Sequence, residues 1–193
     1  SVVPVVADVG TVEGRERVWA ETSKRTGRLE FLVHNAGVVG PLVPLEKLEL
    51  DKFRQTMLVD VEAPIFLTQK LLPLLDARTA ASAAAAGAGA KKSRVLHISS
   101  GCAHRPSSSW LSYCTAKAAF LMAYRVLALE FRETGKNVLV GSVKPGIVAS
   151  EMQDEMRQAP AADFPHVDKF KRLKEGLDNK KQTGAGAGGV DAP

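Results

Sequence analysis

Three short β-rich runs, each closed by small or turn-forming residues and separated by helical sequence, constrain this chain more than any other feature. Leu29-Glu-Phe-Leu-Val33 ends in His34-Asn35-Ala36-Gly37, and Arg94-Val-Leu-His-Ile98 ends in Ser99-Ser100. Asn137-Val-Leu-Val-Gly-Ser-Val143 runs into Pro145-Gly146-Ile-Val148-Ala-Ser150. Strands that alternate with helices predict a parallel sheet, and in such sheets the carboxyl ends of the strands line a ligand crevice. The chain therefore reads as α/β, and groups able to do chemistry are sought at those three ends.

The second end is followed by Tyr113-Cys-Thr-Ala-Lys117 near the start of a long helical stretch, Ser109 to Arg132. Residues four apart on a helix share a face, so the Lys117 ammonium is expected to sit near the Tyr113 phenol and favour its ionised form. Ser100, closing the preceding strand, could then hold a carbonyl or hydroxyl oxygen while a proton moves. That is the layout of a carbonyl reductase.

Around these motifs the chain reads as follows. Val2 to Asp8 predicts a strand, Val12 to Thr26 a helix, and Glu49–Asp60 and Ala63–Leu75 two further helical stretches. Arg78 to Ser93 is almost pure alanine and glycine ending in two lysines, and is expected to be a surface insertion that carries no site. Glu151–Gly176 is charged and partly helical. Residues 177–193 are expected to be a disordered tail. Their glycine run, Gly184 to Gly189, fails as a phosphate loop because no strand leads in and no helix follows. Residues 1–176 are thus expected to be a single domain. With 45% hydrophobic residues its core material is ample.

No apolar run approaches a bilayer span, and the formal charge of +5 is scattered, so neither a membrane nor a nucleic-acid partner is expected. Cys102 and Cys114 lack metal-ligand spacing and read as packed thiols in a reducing, cytoplasmic setting. No metal cluster is expected, and His34, His97 and His104 read as packed or exposed rather than catalytic.

Taken together, from about residue 3 to 157, these motifs resemble the short-chain dehydrogenase/reductase family in order and spacing. The resemblance implies a doubly wound parallel sheet of Rossmann type and a nicotinamide cofactor, NADP with NAD left open. It also implies a small-molecule carbonyl substrate and a homodimer or homotetramer built on the outer helix faces. It assigns Tyr113 as general acid, Lys117 to the nicotinamide ribose and to lowering the phenol pKa, and Ser100 to orienting the substrate oxygen.

The family's fourth catalytic position, an asparagine, carries Asp60 here. Its charge is expected to hold the Lys117 ammonium protonated, and Asp60→Asn is expected to raise turnover. On the cofactor side the resemblance points to Asp8 for the adenine amino group, where a turn-forming role is the other reading. Asn35, Ala36 and Gly37 would lie against the adenosine ribose, with Asn35 also joining strands. Pro145, Gly146, Val148 and Ser150 would grip the nicotinamide carboxamide. Lys70 is either a basic cofactor contact or a solvated helix lysine.

The family's opening strand, its TGxxxGxG turn and its last strand have no counterpart here, so the sheet is expected to be incomplete at both ends and the sequence to be part of a longer chain. The run from Ser99 to Lys117, with Ser150-Glu-Met152-Gln, resembles the sepiapterin reductase and benzil reductase branch, which would set Cys102, Trp110 and Met152 around a ketone or diketone. The alternative is an inactive scaffold that keeps the dimerisation helix.

Overall fold

The computed structural model describes residues 2–77 and 91–174. The alanine-rich segment through residue 90 and the expected tail lie outside the described residues.

Helix α1, Val12–Ser23, starts where the Thr11 hydroxyl accepts the Gly14 N–H at 2.9 Å, and stops short of Thr26. Strand β1, Phe31–His34, follows. Next come α2, Leu50–Met57, a π-helical turn over Leu58–Glu62, and α3, Ala63–Leu75. The two expected helical stretches are therefore one rod, interrupted by a wider turn rather than a break. Such π turns insert an extra residue into the helix and recur at functional sites.

Strand β2 is Ser93–Ile98, so Ser93 belongs to the sheet and not to the expected insertion. Its N–H donates to the Asn137 carbonyl at 3.0 Å and its hydroxyl to the Leu29 carbonyl at 2.6 Å, which fixes where pairing begins. Helix α4, Leu111–Glu133, ends at Gly135, whose φ of 66° lets the Lys136 N–H return to the Phe131 carbonyl at 2.8 Å. Strand β3, Val138–Val143, and helix α5, Glu151–Gln158, complete the order, and residues 167–174 are helical.

The fold is α/β with a parallel sheet in the order β1-β2-β3. Register pairs Leu32 with Val95 and Val95 with Val140; two residues on, it pairs His34 with His97 and His97 with Ser142. The first rung packs on Leu67, Leu71 and Leu75 of α3 and Phe131 of α4, forming the lower core. The second rung lies just below the strand ends. The same register sets those three ends side by side, which is what assembles a site from distant parts of the sequence.

One expectation needs correction. Val2 to Asp8 is not a strand: a strand exists only through ladder bonds, and no described segment pairs with it, so Val2, Val3 and Val6 stay exposed. The outer edge of β1 is likewise unpaired among the described residues, and Phe31 is 58% exposed.

The second rung is polar yet buried. The single Thr68 hydroxyl proton goes to the Pro64 carbonyl at 2.7 Å, so His34 Nε2, also 2.7 Å from Thr68 Oγ1, must be the protonated nitrogen of a neutral ring. His97 packs edge-on against Phe120 with centroids 3.9 Å apart. Burial holds His34 down at about 4, and burial, helped by the Lys117 charge, holds His97 at about 3, against the ordinary 6.5. An unfolded chain takes up both protons as pH falls below about 6.5, whereas the folded chain refuses them until about 4 and 3. Stability is therefore complete above 6.5 and is lost as pH falls through this window. Melting temperature measured against pH should drop across it, and His97→Asn should make the drop shallower; an unchanged slope in the variant would contradict this reading.

Candidate active site

Asp60 lies within the π turn. Asp60 is 1% exposed, and its Oδ1 accepts the Val38 N–H at 2.8 Å, just beyond Asn35-Ala36-Gly37 at the end of β1. Its Oδ2 lies 3.1 Å from Nζ of Lys117, itself 6% exposed on α4. One carboxylate thus ties the β1 turn to the helix that carries the YxxxK residues. Burial pushes the Asp60 carboxyl above the usual carboxylate range, opposed by the Lys117 charge and by the Val38 N–H.

Gly37 completes the arrangement. A Cβ there would stand 3.2 Å from Lys117 Nζ and 3.3 and 3.4 Å from the two Asp60 oxygens, so any larger residue would press on the ion pair. The turn is held from its other side too. Arg15, buried in α1, donates to the Val9 and Gly10 carbonyls at 3.0 and 3.2 Å and to Glu62 at 3.1 Å. Since Glu62 shares the π turn with Asp60, Arg15 links the Asp8 loop to the same element. Nothing in the sequence separates Arg15 from the exposed charges around it on α1, so this role was not readable there.

Tyr113 faces Lys117, whose Nζ is 5.4 Å from the phenol ring centroid. The expected lowering of the phenol pKa does not occur. Burial pushes Tyr113 up to about 12; the Ser100 hydroxyl pulls the other way, while the Asp60 charge adds to the rise. The physical reason is that Lys117 has its counter-ion in Asp60 and that the phenol is buried with Val39, Leu42, Trp110, Met156, Phe164 and Val167. Tyr113 therefore holds its proton more tightly than an ordinary phenol does. Ser100 stands beside it and caps the short turn Gly101–Ala103 through the Cys102 N–H at 3.2 Å.

The cofactor-side residues lie at the expected ends. Asp8 Oδ1 accepts the Gly10 N–H at 2.9 Å and the Asp8 carbonyl accepts from Thr11, so the turn role is present. Gly14 is required there, because a Cβ would fall 1.8 Å from the Asp8 carbonyl oxygen. Asn35 and Ala36 are exposed, as are Pro145, Gly146, Val148 and Ser150. Gly146 has φ 78°, and Ser150 stands at the N-cap of α5 without making a capping bond. Lys70 is occupied elsewhere: it pairs with Glu16 and lies 5.3 Å from the Trp19 ring.

Cys102 and Cys114 are free and half-buried beside the Tyr113 cluster, as is Met152. Burial pushes the Cys102 thiol up to about 11, which keeps it protonated and unreactive. The segment after Ser150 covers the cluster: Phe164 stacks on Trp110 at 5.7 Å and Phe170 lies 5.4 Å from it. Lys47 ties this segment down through an ion pair with Asp163. Among the described residues no His, Cys, Asp and Glu group is placed to hold a metal, and no helix is long and apolar enough to cross a membrane.

Burial would still hold the phenol pKa up in an Asp60→Asn variant, but the contribution of the Asp60 charge would go and Lys117 would be freed to act on Tyr113. Ultraviolet titration of tyrosinate, with Tyr113→Phe as the blank, should show Tyr113 ionising at lower pH in Asp60→Asn than in the parent. A midpoint that stays or rises would refute the coupling.

Comparison with known proteins agrees with this geometry. A family profile described as short chain dehydrogenase matches residues 1–161. The benzil reductase ((S)-benzoin forming) of Bacillus cereus is 32% identical over 144 residues, which is 75% of this chain and 53% of that protein. The chain thus spans about half the length of the curated relatives that it matches. Among solved structures, the KRED1-Pglu enzyme superposes with a TM-score of 0.73 at 26% identity, over 90% of this chain and 66% of that one. The Pseudomonas aeruginosa RhlG/NADP active-site complex gives 0.65 at 27%, over 82% and 58%.

Proposed function

The chain belongs to the short-chain dehydrogenase family, and on that premise we propose that the protein reduces a ketone or diketone carbonyl of a small molecule with NADPH. The observation that carries this reading is the placement of the Tyr113 phenol in an apolar cluster, beside the Ser100 hydroxyl and the Lys117–Asp60 pair. Benzil reductase relatives support the carbonyl substrate and the branch, and the RhlG/NADP complex supports the 2′-phosphorylated cofactor.

The residues at the strand ends fit a dinucleotide. Gly37 keeps its turn free of a side chain next to Lys117, and the exposed residues at the strand ends offer backbone and hydroxyl groups. Asp8, Asn35, Ala36, Gly37, Lys117, Pro145, Gly146, Val148 and Ser150 would hold it. When bound, the nicotinamide supplies the hydride. Ser100 orients the substrate oxygen, and Tyr113 donates its proton to that oxygen as negative charge develops there. Lys117 then faces a nascent phenolate, which its charge stabilises. Asp60 fixes the ammonium and the β1 turn together. The inactive-scaffold reading is set aside because these side chains are assembled, not scattered.

The outer faces of α3 and α4 support a homodimer or homotetramer. Phe66, Met122, Val126 and Leu129 are exposed there, and Phe66 also borders a groove of about 700 Å³ in which Phe53, Met57, Val61 and Ile65 stand among the polar side chains of Asp51, Arg54, Gln55 and Glu62. Sedimentation as a monomer at all concentrations would dismiss it. Both cysteines being free thiols supports a cytoplasmic setting.

The decisive assay follows NADPH oxidation by the whole protein with small ketones and diketones. Tyr113→Phe should lower kcat by roughly 10²–10⁴-fold with an unchanged melting temperature. Undiminished turnover in that variant would remove Tyr113 from the chemistry.

A further inference from the structure

We propose that Arg15 is a positioning residue for the reductase chemistry: by clamping the Asp8 loop to the π-helical turn it fixes where Asp60 meets Lys117, and so acts on Tyr113 without touching it. The inference rests on the reductase reading and extends its machinery to α1.

Charged side chains are rarely buried unless they are paired. Among the described residues three are, with Arg15 7% exposed, Asp60 1% and Lys117 6%. Two of them form the ion pair of the candidate site, and the third is tied to the same turn. A guanidinium carries a planar fork of donors, which lets one side chain hold acceptors on separate elements. Arg15 donates to the Val9 and Gly10 carbonyls at 3.0 and 3.2 Å and to Glu62 at 3.1 Å. Glu62 closes the π turn, two positions after Asp60.

A second contact joins the same elements. A Cβ on Gly10 would stand 3.4 Å from Val59 Cγ2 and 3.7 Å from Leu58 Cδ2, so the loop backbone lies against the two residues that precede Asp60. Gly14 brings α1 so close to the loop that a Cβ would fall 1.8 Å from the Asp8 carbonyl oxygen. Loop, α1 and π turn therefore pack as one unit bridged by the guanidinium. Asp60 carries the position of that unit across to Val38 and Lys117.

The groups facing the phenol are Ser100, Cys102, Cys114, Lys117 and Asp60. Of these, Asp60 is the one on the turn that Arg15 holds. The cluster that buries Tyr113 contains no residue of α1 or of the π turn, so loss of Arg15 leaves that burial in place. What changes is the Asp60 carboxylate, which loses its fixed place beside Lys117. The ammonium then acts more strongly on Tyr113, and the phenol ionises at lower pH.

Ultraviolet titration of tyrosinate on the whole protein, with Tyr113→Phe in each background as the blank, reads this directly. Arg15→Met should lower the Tyr113 midpoint in the parent background and leave it unmoved in an Asp60→Asn background, where the link is already cut. No drop in the parent background overturns the proposal. So does an equal drop in both, since Arg15 would then only support the fold. Glu62→Gln leaves Arg15 a neutral acceptor at a half-exposed position and decides the case if Arg15→Met does not fold. It should lower the midpoint too, and an unmoved midpoint there overturns the clamp. Glu16→Gln cuts the neighbouring Glu16–Lys70 pair between α1 and α3 and should change nothing; a drop as large as that of Glu62→Gln would contradict the assignment to Arg15.

The titration needs no turnover, so the two readings fail separately. If the midpoint falls as expected but no NADPH is oxidised, the reductase reading falls and the clamp stands. If NADPH is oxidised while the midpoint stays, the clamp falls alone.

Discussion

The candidate catalytic side chains among the described residues are arranged around one buried ion pair. Asp60 and Lys117 meet at 3.1 Å in a place almost closed to solvent, and the carboxylate also holds the backbone of Val38. Removing one partner of such a pair leaves an uncompensated buried charge, which costs about 3–5 kcal/mol. The pair therefore fixes three elements at once: the turn after β1, the π-helical turn and the first turns of α4. Gly37 is small for the sake of that contact, and burial, with the Asp60 charge adding to it, holds the proton on Tyr113.

The sheet supplies the frame within which this pair can form. Parallel register alone brings the ends of β1, β2 and β3 together, and the rungs behind them pass from aliphatic to polar toward the site. His34 and His97 fill the last rung as neutral rings, so the only cation beneath the strand ends among the described residues of this cluster is Lys117. Neutral histidines there leave the ammonium to be balanced by Asp60.

The strands, the YxxxK face and the serine were readable because each depends on local spacing: β-rich runs with small closing residues, and a four-residue interval on a helix. The acidic partner of Lys117 was readable by position, since Asp60 stands in a helix where the resemblance places an amide. What spacing could not give was the consequence of contact. The direction of the Tyr113 shift depends on burial by residues from four separate segments, and the π turn that contains Asp60 has no sequence signature. Val2 to Asp8 has the composition of a strand, yet strand formation depends on a neighbour, which composition cannot report. Ser93 looked like the end of a low-complexity run because its two hydrogen-bond partners, Leu29 and Asn137, are distant in sequence.

The central claim is that Asp60 and Lys117 interact as a buried ionised pair and are not merely adjacent. A double-mutant cycle on unfolding free energy, using Asp60→Asn, Lys117→Met and both together, measures this directly. The account predicts a coupling of roughly 1–3 kcal/mol, each single variant losing stability that the second substitution partly restores. Additive losses with no coupling would contradict it and leave the site without its organising interaction.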